Sequence, residues 1–133
     1  MNVSQRTVLV VDDDRAIRRV LRSALERLDY RVVESVNGEH ALEILDGTDG
    51  DFAAVISDIG MPRLDGIELV EGIARRGEEL PVILTSGRHS VTSLPAAVRT
   101  RIAGFLAKPY SLADVTSAVA RATASPRGEH DAS

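Results

Sequence analysis

The sequence predicts an α/β domain with a doubly wound sheet, in which five parallel strands alternate with helices that cover both faces. Two observations favour this fold class. Short apolar runs alternate along the chain with segments whose apolar residues recur at helical spacing, which is typical of repeated strand–helix–strand units. The first run, Val8–Val11, is continuously apolar, as expected for a central strand that is buried on both faces.

The first half of the chain is predicted to contain three strands, each followed by a helix. Asp12 to Asp14 end the first strand and can cap the next helix, because carboxylates favour a helix N-terminus. The apolar face of that helix, over 15–28, is formed by Ile17, Val20, Leu21, Ala24, Leu25 and Leu28. The other predicted elements are a strand over 31–36 near a sheet edge, a helix over 38–45, a strand over 52–57, a loop over 61–66 and a helix from residue 67.

The second half is predicted to contain strands over 81–85 and 102–106. Residues 88–101 are poorly patterned, and Pro95 limits any helix there to a short one over about 94–100, since proline is tolerated in a first turn. A last helix over 111–122 has Ser111 as its N-cap, and its predicted apolar stripe contains Leu112, Val115, Val119 and Ala122. The domain is predicted to span 1–124, with 125–133 as a polar, frayed tail.

Composition excludes several classes of function. The 133 residues suit one domain, and 16 basic against 20 acidic residues give a net charge of −4. A nucleic-acid-binding protein normally has a basic excess, so we expect no nucleic-acid partner. The chain has no cysteine, which rules out disulfides and thiolate metal sites. The N-terminus resembles neither a signal peptide nor a membrane span, so a cytoplasmic protein without a membrane partner is expected.

Polar residues follow four of the predicted strands. We expect the flavodoxin-like strand order 2-1-3-4-5, which places strands one and three side by side. The loops at the carboxyl edge of such a sheet meet in one crevice. The residues that follow the strands there are Asp12, Asp13, Asp58, Ser86 and Lys108. Three carboxylates brought together repel one another, and a divalent cation with a phosphoryl group would explain their proximity.

Four motifs in order carry a family resemblance. VLVVDDD, ISDIGMPRLDG, PVILTSG and GFLAKPYS, between about residues 7 and 122, resemble the receiver domain of two-component response regulators. The resemblance implies that Asp58 accepts a phosphoryl group from a phosphohistidine of a histidine kinase or a histidine phosphotransfer protein. It also implies that Ser86 and Lys108 contact the phosphoryl oxygens and that Phe105 is a switch aromatic. The implied ligands of Mg²⁺ (or Mn²⁺) are Asp12, Asp13, Asp58 and the backbone carbonyl of Gly60.

The chemistry of these residue types agrees with that role. An aspartate carboxylate can act as a nucleophile and form an acyl phosphate. Phosphoryl transfer depends mainly on positioning and charge neutralisation, so the site needs a cation more than an acid or a base. Mg²⁺ prefers the hard oxygen ligands that Asp13 and Asp58 supply, with Asp12 acting directly or through a water. Lys108 would place a compact positive charge on the same phosphoryl group.

Some of these residues also have simpler interpretations. Asp14 is expected to be a solvent-facing helix cap, Ser86 taken alone would be a turn hydroxyl, and Phe105 could be a core aromatic. Gly60 and Arg88 depart from the commoner family pattern at positions that influence how fast water reaches the phosphoryl group. The lifetime of that group is therefore left open by the sequence.

The leading hypothesis is a signalling module that is not an enzyme acting on a separate substrate. The first alternative is an aspartyl-phosphate-forming phosphohydrolase, which would want a second acid two residues after the nucleophile, where this chain has Gly60. The second is a flavodoxin-like cofactor binder, which acids after the first strand disfavour because they repel phosphate. Few residues follow the last predicted helix, so we expect the domain to act through protein contacts.

Overall fold

The computed structural model describes residues 6–47, 51–77 and 79–124. The strands are β1 (Thr7–Val11), β2 (Arg31–Ser35), β3 (Phe52–Asp58), β4 (Val82–Ser86) and β5 (Gly104–Ala107). The helices are α1 (Arg15–Glu26), α2 (Gly38–Asp46), α3 (Gly66–Arg75), α4 (Ala96–Arg99) and α5 (Leu112–Thr123), with a 3₁₀ turn over Val91–Ser93. The predicted tail, 125–133, lies outside the described residues.

The strands form one parallel sheet in the order β2-β1-β3-β4-β5, as predicted. In the register, Val11 lies opposite Ser57, Asp58 lies opposite Thr85, and Ser86 lies opposite Ala107. The carboxyl ends of β1, β3, β4 and β5 therefore meet at one edge of the sheet. This is the edge where the sequence places the polar residues.

Helices cover both faces of the sheet, which confirms the doubly wound class. Alternation along β1 sends Leu9 and Val11 into a cluster with residues of α2, α3 and α4, and sends Val8 and Val10 into a cluster with residues of α1 and α5. We call these the first and the second cluster. All four of these β1 residues are almost fully buried, so β1 is the central strand that its continuous apolar run predicts.

The exposure of three apolar side chains corrects the prediction for α1 and α5. Val20, Leu28 and Leu112 are 49%, 50% and 45% exposed, although the pattern placed them on the buried faces. Successive helix positions are rotated by about 100°, so the sheet covers Leu21 while the adjacent Val20 turns toward solvent. Leu28 follows the end of α1 at Glu26, because the helix is two residues shorter than predicted.

The segment before β5 differs in detail from the prediction. The expected short helix over 94–100 is present but has only the four residues of α4, and the 3₁₀ turn before it was not predicted. Leu94 and Val98 are its buried side chains and belong to the first cluster. Pro95 directly precedes α4, which agrees with the tolerance of a helix start for proline.

No helix within the described ranges combines the length and the apolar character that a membrane span requires.

Candidate functional site

Four strand ends bring the predicted polar residues together. Asp12 and Asp13 directly follow β1, Asp58 ends β3, Ser86 ends β4, and Lys108 directly follows β5. Residues 46 positions apart in the chain, such as Asp12 and Asp58, become neighbours because β1 pairs with β3. The parallel sheet thus converts separate motifs into one site.

Three carboxylates form a compact oxygen cluster at this edge. One carboxylate oxygen from each of Asp12, Asp13 and Asp58 lies within 4.8 Å of the other two. Asp12 and Asp58 are buried and Asp13 is exposed, so the cluster opens to solvent on the side of Asp13. A set of hard oxygen donors that keeps room for water fits Mg²⁺, which usually retains several waters. Gly60, exposed in the loop after β3, could add its backbone carbonyl.

Asp12 is the most deeply buried of the three acids. Its Oδ1 accepts a hydrogen bond from the Asp14 backbone N–H at 2.9 Å, and its carbonyl accepts one from Arg18 Nη1 at 2.7 Å. Burial raises the pKa of the Asp12 carboxyl from 3.8 to about 6, and the nearby Asp58 charge acts in the same direction. The carboxylate form of Asp12 is therefore less stable than that of an exposed aspartate, and an added positive charge would stabilise it.

Asp14 has a different role from its two neighbours. It is the N-cap of α1, and its Oδ1 accepts hydrogen bonds from the backbone N–H groups of Ala16 and Ile17 at 2.9 and 3.4 Å. This agrees with the prediction of a solvent-facing cap. Of the run Asp12 to Asp14, only the first two residues belong to the carboxylate cluster.

Lys108 provides a positive charge at the site. Its Nζ lies 3.2 Å from Asp58 Oδ1, and its side chain is 29% exposed. The Lys108 backbone N–H donates to the Ser86 carbonyl at 2.8 Å, which fixes its position beside the end of β4. The peptide bond between Lys108 and Pro109 is cis. One ammonium thus faces the carboxylate that the sequence predicts to be the nucleophile.

Ser86 is buried and holds the loop that follows it. Its Oγ accepts hydrogen bonds from the backbone N–H groups of Arg88 at 3.0 Å and His89 at 2.8 Å, and it lies 3.1 Å from His89 Nδ1. His89 was not among the site residues predicted from the sequence. Serine hydroxyls often form hydrogen bonds with backbone groups two or three residues ahead. The position of His89 three residues after Ser86 was therefore the one feature of the sequence that could have indicated this contact.

A cavity of about 550 Å³ lies between the β3–α3 and β4–α4 loops. Its lining residues are Asp58, Ile59, Gly60, Met61, Asp65, Ser86, Gly87, Arg88, His89 and Lys108. Arg88 is exposed and lies at its rim. A Cβ at Gly60 would meet nothing within 4 Å, so this position leaves open space beside Asp58.

Phe105 lies on β5 opposite Leu84 and is half-buried. It packs against the first cluster, which agrees with the simpler interpretation of a core aromatic. Ser86 lies opposite Ala107, two residues beyond Phe105, so Phe105 and Ser86 are diagonal neighbours on the same face of the sheet.

Comparison with known proteins gives a consistent assignment. The family model for the response regulator receiver domain matches residues 8–120. Response regulator MprA of Mycolicibacterium vanbaalenii is 36% identical over 108 residues, which are 81% of this chain and 46% of that protein. The chain spans about half the length of the curated relatives it matches.

Solved structures agree with the fold. A response regulator receiver domain protein from Clostridium thermocellum superposes with a TM-score of 0.81 at 24% identity, over 90% of this chain and 94% of that one. The chemotaxis response regulator CheY4 of Vibrio cholerae gives a TM-score of 0.80 at 25% identity, over 90% of this chain and 99% of that one. With the family model matched from β1 into α5, this chain belongs to the response regulator receiver domain family.

Proposed function

We propose that Asp58 is the phosphoacceptor of this receiver domain and takes its phosphoryl group from a histidine kinase or a histidine phosphotransfer protein. The observation that carries the proposal is the position of the Asp58 carboxylate. It lies within 4.8 Å of oxygens of Asp12 and Asp13 on one side and 3.2 Å from the Lys108 ammonium on the other. A phosphoryl group on Asp58 would have positive charge available on both sides once a cation is bound.

In the proposed reaction, a carboxylate oxygen of Asp58 attacks the phosphorus of the phosphohistidine. The new phosphorus–oxygen bond forms as the phosphorus–nitrogen bond breaks, and the electron pair of the broken bond stays on the imidazole nitrogen. Lys108 Nζ, which lies 3.2 Å from Asp58 Oδ1, would be close to the transferred oxygens and offset their charge. The cavity beside Asp58, lined by Gly60 and Ser86, gives the donor histidine room to approach.

The residues that would hold Mg²⁺ or Mn²⁺ are Asp12, Asp13, Asp58 and the backbone carbonyl of Gly60. When bound, the cation would neutralise charge on the carboxylates and on the phosphoryl oxygens. Asp12 must be deprotonated to act as a ligand, and its raised pKa of about 6 makes cation affinity fall as the pH drops below about 6.

The proposal predicts Mg²⁺-dependent labelling by a small acyl phosphate. Incubation with acetyl phosphate and Mg²⁺ should raise the intact mass by one phosphoryl group, and hydroxylamine should remove it, because acyl phosphates are cleaved by this nucleophile. Chelation of the metal with EDTA should reduce labelling to background, since the three acids then repel the incoming anion. Labelling that resists hydroxylamine, or that proceeds equally in EDTA, would contradict the proposal.

Replacement of Asp13 by asparagine is predicted to weaken Mg²⁺ binding without unfolding the domain. Asp13 is exposed, so losing its charge should leave the metal-free stability equal or slightly higher. Loss of one carboxylate ligand should lower Mg²⁺ affinity about tenfold or more by isothermal titration calorimetry. Asp14→Asn is the matched control, since asparagine also caps helices. A marked loss of metal-free stability in Asp13→Asn would instead favour a structural role.

We propose that phosphorylation changes the position of Ser86 and that this change is transmitted to Phe105. A hydrogen bond from the Ser86 hydroxyl to a phosphoryl oxygen would move this side chain and change the space next to Phe105 on β5. The surface around β5 and its flanking helices would then change, and we propose that a downstream partner binds there. The diagonal positions of Ser86 on β4 and Phe105 on β5 support this coupling.

The alternative of a phosphohydrolase gains no support, because position 60 offers no second acid beside Asp58. The family assignment favours a signalling role, which we extend to the proposal that the domain acts on no separate substrate. The domain boundary at residue 124, a cytoplasmic location and the absence of a nucleic-acid partner stay predictions. Co-incubation with candidate histidine kinases, scored by phosphotransfer, would identify the donor.

A further inference from the structure

We propose that His89 is a positioning residue that holds the Ser86 hydroxyl hydrogen until Asp58 carries a phosphoryl group. Phosphorylation would then transfer this one hydrogen bond from the imidazole to a phosphoryl oxygen. The inference rests on the proposed role of Asp58. It assigns to His89 a part in setting the balance between the two states of the switch.

The hydrogen-bonding capacity of Ser86 leads to this assignment. A serine hydroxyl has one hydrogen to donate and two lone pairs that accept. The backbone N–H groups of Arg88 and His89 already donate to Oγ at 3.0 and 2.8 Å, so both lone pairs are used. The contact of 3.1 Å between Oγ and His89 Nδ1 must then use the hydroxyl hydrogen. His89 Nδ1 is therefore the acceptor, and the neutral ring carries its hydrogen on Nε2.

Burial limits the acceptors that are available to the Ser86 hydroxyl hydrogen. Ser86 is 4% exposed, so water gives its hydroxyl few alternatives. Ser86, His89, Lys108 and Asp58 line the same cavity, so a phosphoryl oxygen on Asp58 would be a second acceptor within the same space. One hydrogen cannot make two full hydrogen bonds. Switching therefore costs the bond to His89, and that bond stabilises the unphosphorylated state.

The same bond links the site to α4. Three contacts tie residues 88 and 89 to Ser86, and His89 is followed by Ser90, the N-cap of the 3₁₀ turn Val91–Ser93. That turn leads through Leu94 into α4. Loss of the bond to the imidazole would remove one of the three contacts that hold the start of this segment. His89 thus lies on the segment that connects the phosphoryl site with α4.

Removal of the acceptor is predicted to favour the phosphoryl-bound state. In Mg²⁺, the His89→Ala protein should bind beryllofluoride, a mimic of the phosphoryl group, about 2- to 10-fold more tightly than the wild type, because the competing hydrogen bond is lost. His89→Asn should restore wild-type affinity, since its Oδ1 occupies the same position along the side chain as Nδ1. Equal affinity in the wild type and His89→Ala would overturn the inference.

His40 provides a matched control within the described chain. Its Nδ1 also lies 3.1 Å from a serine Oγ, that of Ser35, but it belongs to α2 and is not among the residues lining the cavity. His40→Ala should leave beryllofluoride affinity unchanged. In a Ser86→Ala background, His89→Ala should also have no effect, because the hydroxyl on which it acts is gone. A full effect in that background would overturn the inference.

Nitrogen NMR of the imidazole supplies a readout that a purely structural role would not move. In the unmodified protein, His89 should show hydrogen on Nε2 and an accepting Nδ1, and the Nδ1 signal should shift when beryllofluoride binds. A hydrogen on Nδ1, or an unmoved signal in the bound state, would contradict the inference. If the wild type binds no beryllofluoride at all, the role of Asp58 fails and this inference fails with it. Binding with an unmoved His89 signal refutes only the inference.

Discussion

Asp58→Asn is expected to lose labelling by acetyl phosphate completely. The amide has almost the same shape as the carboxylate, but it carries no charge and is a poor nucleophile, so no acyl phosphate can form. The fold should persist, because asparagine can occupy the same space opposite Lys108 at the end of β3. Intact mass spectrometry in saturating Mg²⁺ measures the effect, and circular dichroism checks that the variant is folded.

Asp65 offers a matched control for this variant. It lines the same cavity as Asp58, but its side chain is the N-cap of α3, where it accepts a hydrogen bond from the Glu68 backbone N–H at 2.8 Å. Asparagine caps helices about as well as aspartate. Asp65→Asn should therefore keep its fold and its labelling. If Asp58→Asn were labelled to the extent of the wild type, another side chain would have to be the acceptor.

Asp12→Asn is expected to stabilise the metal-free domain at neutral pH. Burial raises the pKa of Asp12 from its usual 3.8 to about 6, so between these values the folded state binds more protons than the unfolded state. The free energy of unfolding of the wild type therefore falls as the pH rises through this window and stays low above it. The difference between the two pKa values corresponds to about 3 kcal/mol. Asparagine avoids this cost and keeps an acceptor for the Asp14 N–H.

Denaturant unfolding in EDTA at pH 7 and at pH 4 measures this effect. The advantage of Asp12→Asn should reach about 3 kcal/mol at pH 7 and be small near pH 4, where the wild-type carboxyl is protonated. Asp14→Asn, which removes an exposed charge next to the site, should change stability little. Addition of Mg²⁺ should stabilise the wild type more than Asp12→Asn, because ligands stabilise the state that binds them. A less stable Asp12→Asn protein at pH 7 without metal would refute the account of Asp12.

The strand order and the meeting of the candidate site residues at one edge were predictable from the sequence, because the order of parallel strands determines which strand ends are neighbours. The continuous apolar run of β1 indicated a central strand, and the parallel order then brought the ends of β1, β3, β4 and β5 to one edge. The proximity of Asp58, Ser86 and Lys108 could be predicted from their positions at the carboxyl ends of strands alone. Element ends shifted by one or two residues, because hydrogen bonds in the loops rather than apolar spacing decide where a strand or helix stops.

Other features depended on information that residue patterns do not contain. The sequence separated Asp14, the expected helix cap, from Asp12 and Asp13, but it did not indicate that Asp12 is buried while Asp13 is exposed. That difference in exposure depends on the path of the chain after β1. The contact between Ser86 and His89 likewise depends on the backbone of the β4–α4 loop. Val20 was placed on a buried face because spacing defines a stripe but not how much of it the sheet covers.

Chemical mapping of the labelled carboxyl group tests the assignment of Asp58 most directly. Borohydride reduces an acyl phosphate to an alcohol, so it converts a phosphorylated aspartate into homoserine while free carboxylates do not react. Wild-type protein labelled with acetyl phosphate in Mg²⁺, then reduced and digested, is predicted to carry homoserine at position 58. Homoserine at Asp12, Asp13 or Asp65 instead, with Asp58 unchanged, would contradict the proposed role of Asp58 as the phosphoacceptor.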